Sequence, residues 1–238
     1  MAIQTRMVDY DHDGVSLQGE LVWDDGLGQR PVVLVAPTWA GRTDFEGGQA
    51  RRLAELGYVG FAIDMYGKGI VGNGPEECTA LMMPIVSNRE LLQARMAAAL
   101  DAARRQPEAS NSPGAAMGFC FGGLCVLDLA RSGSDVAGVI SFHGLLGPAS
   151  NLPEPAISAK VLVLHGYDDP MADPDAMRGF CDEMTAAGCD WQVHAYGQTL
   201  HAFTNPNAND PASGTLYNEV VANRAYQSMA AFLSEVLN

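Results

Sequence analysis

Gly118-Phe119-Cys120-Phe121-Gly122-Gly123 is the stretch of this sequence whose residue types and spacing best suit chemistry. An apolar, strand-like run (residues 113–118) precedes its centre and a helix-like run (residues 124–130) follows it. The pattern is Gly-x-nucleophile-x-Gly, with cysteine in the nucleophile position. A nucleophile on a sharp strand-to-helix turn is held in a strained backbone conformation. Side chains two residues away on either side would collide, which explains the glycines. Such a turn lifts the side chain clear of the sheet. It also leaves N–H groups at the start of the following helix, where an anion can be held. Cys120 therefore reads as a nucleophile. A solitary cysteine is more commonly buried packing, so the choice depends on whether the chain supplies a base and an acid.

A thiol is mostly protonated at neutral pH, and the thiolate is the attacking species. Five histidines are available to activate it. His12 lies in an acidic stretch, and His194 falls in mid-strand. His165 and His143 each end a strand in front of a glycine, and His201 lies in a loop beyond the last strand. A loop histidine on a rigid scaffold makes the better base, with His143 as its competitor. The base needs a carboxylate to fix its tautomer. Asp168 and Asp169 stand directly after a strand-like run, and either aspartate suits the role. The chain order nucleophile, acid, histidine is that of α/β-hydrolases. An acyl oxygen would need two donors: the N–H of Phe121 and one from the loop after residues 32–36, at Trp39 or Thr38.

The elements that must position these groups follow from hydrophobic patterning. Apolar runs at residues 32–36, 59–64, 113–118, 136–142 and 160–166 read as strands buried on both faces, and residues 191–196 as a last strand. An antiparallel pair is expected within residues 1–24. Helices are expected from Thr43 or Asp44 to Gly57, over residues 75–106 in two pieces broken near Pro84 with the second from Asn88 to Arg105, over residues 174–187, and over residues 216–236. Residues 144–159, with three prolines, read as a loop, and residues 68–90 include a candidate lid. Alternating strands and helices imply one domain over residues 1–238, with a mainly parallel central sheet and helices on both faces. In such sheets function collects at the carboxyl ends of the strands. The loops after residues 37, 64, 118, 166 and 197 all fall there.

Composition narrows the classes. A chain of 238 residues with 47% hydrophobic and 18% charged residues is enzyme-sized and globular. A net charge of −14 argues against nucleic acid and against an anionic membrane surface as partners. The five cysteines are odd in number and form no CxxC pair, and no two histidines have ligand spacing, so neither a metal nor another cofactor is expected. Residues 1–13 lack an apolar leader segment, and no run approaches a membrane span, so a cytoplasmic monomer is the expectation.

Taken together, these residues resemble the dienelactone hydrolase family of α/β-hydrolases. The resemblance rests on the Cys120 hexapeptide, His165-Gly166-Tyr167-Asp168-Asp169-Pro170, and Gly197-x-x-x-His201-Ala202-Phe203. Leu53-Ala54-x-x-Gly57-Tyr58 and Asp64-Met65-Tyr66-Gly67 add to it. It implies an α/β-hydrolase fold and a Cys–His–Asp triad acting on an enol-lactone. The triad would be Cys120, His201 and Asp169, the last chosen over Asp168 by its place before Pro170. The resemblance also implies oxyanion donors from Phe121 and Trp39. Two positions depart from the family. Thr38 stands where well-studied members carry a glutamate that holds the resting thiol. Asn205 stands where they carry an arginine for the substrate carboxylate, and Arg89 or Arg42 is a candidate replacement charge. The expected activity is hydrolysis of a small ester or lactone. A carboxylesterase or thioesterase of another substrate class, or a non-catalytic small-molecule-binding protein, is the alternative.

Overall fold

Eight strands form one sheet in the order β1-β2-β4-β3-β5-β6-β7-β8. They are β1 (Ile3–His12), β2 (Val15–Asp24), β3 (Val32–Ala36), β4 (Val59–Ala62), β5 (Ala115–Phe119), β6 (Gly138–Phe142), β7 (Lys160–Gly166) and β8 (Trp191–Tyr196). The structure, a computed structural model, describes residues 2–149 and 155–237. β1 and β2 pair antiparallel, β2 joins β4 antiparallel, and the strands from β4 to β8 are parallel neighbours. The result is the α/β-hydrolase fold.

The helices are α1 (Asp44–Glu55), α2 (Gly74–Val86), α3 (Arg89–Arg104), α4 (Phe121–Arg131), α5 (Pro174–Ala186) and α6 (Glu219–Leu237). Strand periodicity assigns them to two layers. Val33 and Val35 of β3 face a core shared with Leu53 of α1 and Met229 and Phe232 of α6. Val32 and Leu34 face the opposite core, with Met96 of α3, Leu127 of α4 and Phe180 of α5. All five residues of β3 are buried, and each Val or Leu so placed contributes about 1.5–3 kcal/mol. This two-sided burial explains why the central strands read as unbroken apolar runs rather than as alternating ones.

One expectation is refined and two are corrected. The two helical pieces expected here are α2 and α3, and α2 runs through Pro84 to Val86. Pro84 lies in the last turn, where its missing N–H removes one bond without stopping the helix. The break falls at Ser87 and Asn88, where the Asn88 side chain accepts from Leu91 N at 3.0 Å and caps α3. β4 stops at Ala62 rather than residue 64, because the Asp64 carboxylate turns the chain by accepting from Tyr66 N and Gly67 N at 2.8 and 3.0 Å. The last helix starts at Glu219, not residue 216. Thr215–Leu216 (β10) instead pairs with Asn209–Asp210 (β9) in a small hairpin. Of the loop expected over residues 144–159, positions 150–154 lie outside the described residues. Among the described residues, no helix is long and apolar enough to cross a membrane.

Candidate active site

Cys120 sits between β5 and α4 with φ 56° and ψ −114°. A non-glycine residue at positive φ costs about 1–3 kcal/mol and persists only where its surroundings hold it. Here Cys120 N donates to Phe142 O at 3.1 Å, and Gly123 N donates to Cys120 O at 3.0 Å. The flanking glycines are steric necessities. A Cβ on Gly118 would lie 2.0 Å from Gly122 O, and one on Gly122 would lie 2.2 Å from Ala36 O. The first turn of α4 is thus pressed onto the ends of β5 and β3. Phe121 N, as the first helical donor, has no intrahelical acceptor.

His201 and Asp169 arrive from loops beyond β8 and β7. Nδ1 of His201 is 2.7 Å from Asp169 Oδ2, and the two residues are 2% and 1% exposed. The hairpin clamps the His201 backbone: its N–H donates to Gly214 O at 2.9 Å, and its carbonyl accepts from Leu216 N at 3.1 Å. The second Asp169 oxygen accepts from Met171 N at 2.8 Å, which fixes the carboxylate. Asp168, by contrast, is exposed. The structure thus separates two aspartates that local pattern leaves equivalent. Nε2 of His201 is buried and makes no hydrogen bond of good geometry. Burial by itself disfavours the imidazolium. The negative charge of Cys120 and the hydrogen bond to Asp169 outweigh it, and His201 is pushed up to about 10.

His143, the competing base, also borders the site. Its ring packs edge-on to that of His201 with centroids 5.1 Å apart. Its Nε2 is paired with Thr204 Oγ1 at 2.8 Å, its Nδ1 has no partner, and neither nitrogen meets a carboxylate. Burial, then the charge of His201, holds it well below the ordinary imidazole range, so it stays neutral.

The loop after β3 carries Thr38 and Trp39, and two groups that patterning did not single out hold it. Glu46 of α1 is fully buried. Its Oε1 accepts from Thr38 N at 3.0 Å, and its Oε2 accepts from Thr43 N at 2.8 Å and Thr43 Oγ1 at 2.6 Å. The Thr38 N–H is therefore committed, and of the two candidate donors only that of Trp39 is left for a ligand. Tyr66 links both donor residues: its ring stacks on Phe121 at 6.0 Å, and its hydroxyl donates to Trp39 O at 2.9 Å. Burial raises the Tyr66 hydroxyl well above its ordinary range, so it remains a donor. Thr43-x-x-Glu46 is a capping box legible in sequence; its reach to Thr38 is not.

These groups surround a cavity of about 330 Å³, of small-molecule size. Cys120, His201, His143, Thr38, Trp39 and Asn205 all line it. From the candidate lid, Met82 reaches it. Arg89 does not line it, and its expected place in the substrate pocket is corrected. Its guanidinium forms a two-pronged pair with Asp128 of α4 and reaches Gly147 O at 3.2 Å. Asp128 is fully buried, and an unpaired carboxylate there would be costly, so Arg89 and Arg131 are both drawn to it. Arg42 likewise turns away, donating to Gln18 O at 2.9 Å.

A profile of the dienelactone hydrolase family matches residues 17–237. The solved structure of a dienelactone hydrolase-like promiscuous phosphotriesterase, P91, from metagenomic libraries is 36% identical, with a TM-score of 0.93 over 100% of both chains. A dienelactone hydrolase from Anabaena variabilis, at 20% identity and a TM-score of 0.72 over 100% of both chains, shares the fold. A protein of Caenorhabditis elegans is 35% identical over 147 residues, which is 60% of this chain and 93% of that protein. With its elbow, its sheet order and a family match spanning nearly its whole length, this chain belongs to the dienelactone hydrolase family of α/β-hydrolases.

Proposed function

We propose that this protein hydrolyses small esters or lactones through a thioester formed on Cys120. The supporting observation is that strained Cys120 opens onto the same cavity as His201, whose Nδ1 is held by buried Asp169. The Cys120 thiolate attacks the acyl carbon, and the carbonyl electrons move onto oxygen, which the N–H groups of Phe121 and Trp39 receive. As the tetrahedral intermediate collapses, the C–O bond breaks and protonated His201 gives its proton to the departing alkoxide. In a lactone the alcohol remains tethered. Water then attacks the thioester while His201 takes its proton. The C–S bond breaks, and acid and thiolate–imidazolium enzyme are regenerated. Asp169 keeps the ring in the tautomer that presents Nε2 and stabilises its charge.

A second reading has the same groups act on a neutral phosphotriester, and the 36% identity to a phosphotriesterase favours it. The decisive assay is release of p-nitrophenol from a small activated ester, with mass spectrometry of the quenched enzyme. Wild type should turn over and carry a transient acyl adduct on the peptide containing Cys120. Cys120→Ala should do neither while keeping its circular dichroism spectrum. Full turnover by Cys120→Ala would overturn the mechanism. Tight binding of substrate by wild type, without adduct or product, would favour a binding protein instead. Parallel assay of a neutral phosphotriester separates the two hydrolytic readings.

A further inference from the structure

We infer that this site selects uncharged substrates with an apolar non-reacting portion and discriminates against those that carry a carboxylate. The inference rests on the hydrolase reading above and adds the substrate class. The cavity beside Cys120 is walled by Trp39, Phe45, Met82, Leu145 and Met171. Its non-reacting polar side chains are neutral: Thr38, Asn205, Thr215 and His143. Among the described residues no lysine or arginine lines it. All 14 lysines and arginines of the chain fall within the described residues, and four of the arginines are held by partners outside the cavity. Arg89 and Arg131 are spent on Asp128, Arg95 on the Met65 carbonyl, and Arg42 on Gln18 O and Glu20.

A carboxylate entering this cavity would lose its water and gain no fixed cation in exchange. The one positive charge within reach is the imidazolium of His201, raised by Cys120 and Asp169. A substrate anion paired with that ring would compete with the thiolate it serves. The chain's net charge of −14 opposes the approach of anions as well. Asn205 suits a neutral partner. Its Oδ1 accepts from Asn207 N at 3.0 Å, which leaves the amide NH₂ to donate to a carbonyl or ether oxygen. The bulky apolar walls meanwhile reward burial of hydrocarbon.

The test compares p-nitrophenyl valerate with p-nitrophenyl hydrogen glutarate. The two esters share chain length and leaving group and differ in a terminal methyl against a carboxylate. Wild type should favour the valerate in kcat/KM by on the order of a hundredfold. Asn205→Arg, which brings a cation to the cavity wall, should narrow that ratio by about tenfold or more, chiefly by speeding the glutarate. A wild-type ratio near unity, or a preference for the glutarate, would overturn the inference while leaving the hydrolase reading intact. Turnover of neither ester, with valerate matched to the assay above, would remove both together.

Discussion

Glu46→Gln is the most informative perturbation of the loop after β3. The carboxylate accepts on both oxygens: from Thr38 N on one, from Thr43 N and Oγ1 on the other. A glutamine has the same shape but only one accepting atom. If its oxygen stays on the Thr43 side, its NH₂ faces the Thr38 N–H, donor against donor. Glu46 is fully buried, so water cannot easily repair the mismatch. A lost hydrogen bond to a charged group costs about 1.5–3 kcal/mol, and at this chain length each kcal/mol lowers Tm by about 2–4 °C. The larger effect is expected on rate. Thr38 directly precedes Trp39, whose N–H is proposed to receive the oxyanion. Removing such a donor outright costs about 10²–10³ in kcat. Displacing it should cost about tenfold, with KM changed by less than about twofold, because the transition state is affected more than the ground state. Tyr66→Phe removes the other anchor, the hydroxyl on Trp39 O, and should lower kcat in the same sense. The assay is steady-state kinetics on a neutral activated ester alongside thermal unfolding. A variant that loses Tm as expected but keeps wild-type kcat would refute the idea that this buried carboxylate positions the donor.

Three further outcomes are expected. The His201 ring resonances should titrate with a midpoint near 10 in wild type. They should fall toward the ordinary imidazole value in Cys120→Ala, where the charge that raises them is gone; an unchanged midpoint would show that Cys120 does not face the ring. Because the folded-state value is raised, the stability His201 ionisation contributes is complete below about pH 6.5 and is lost as pH rises through about 10. Thermal unfolding across that window should therefore fall more steeply in wild type than in His201→Ala. Arg89→Leu leaves buried Asp128 with Arg131 alone and should cost stability toward the lower end of about 3–5 kcal/mol. It should leave kcat and KM of the folded enzyme unchanged, and a raised KM would return Arg89 to the substrate pocket.

Much of the fold was legible in the sequence because its signals are local. Residues 32–36 are apolar without a break because both faces of β3 are covered, and glycines flank Cys120 because a Cβ at either side would strike backbone. Where patterning erred, a side chain acted on the backbone from nearby. Asp64 turned the chain before the expected end of β4. Residue order also set out Cys120, Asp169 and His201 as candidates, but order carries no distances. The contact between His201 and Asp169 spans 32 residues, and in the structure that contact and burial together distinguish Asp169 from its exposed neighbour Asp168. The same holds for charge. A sequence lists Arg89 as a free cation, yet only tertiary packing buries Asp128 and makes it the stronger claim on that guanidinium. The strained turn at Cys120 and its flanking glycines are thus written into one hexapeptide. Which residues keep it company, and that among the described residues no lysine or arginine lines the cavity beside it, depended on long-range burial, where an unpaired charge costs more than any local propensity can offset.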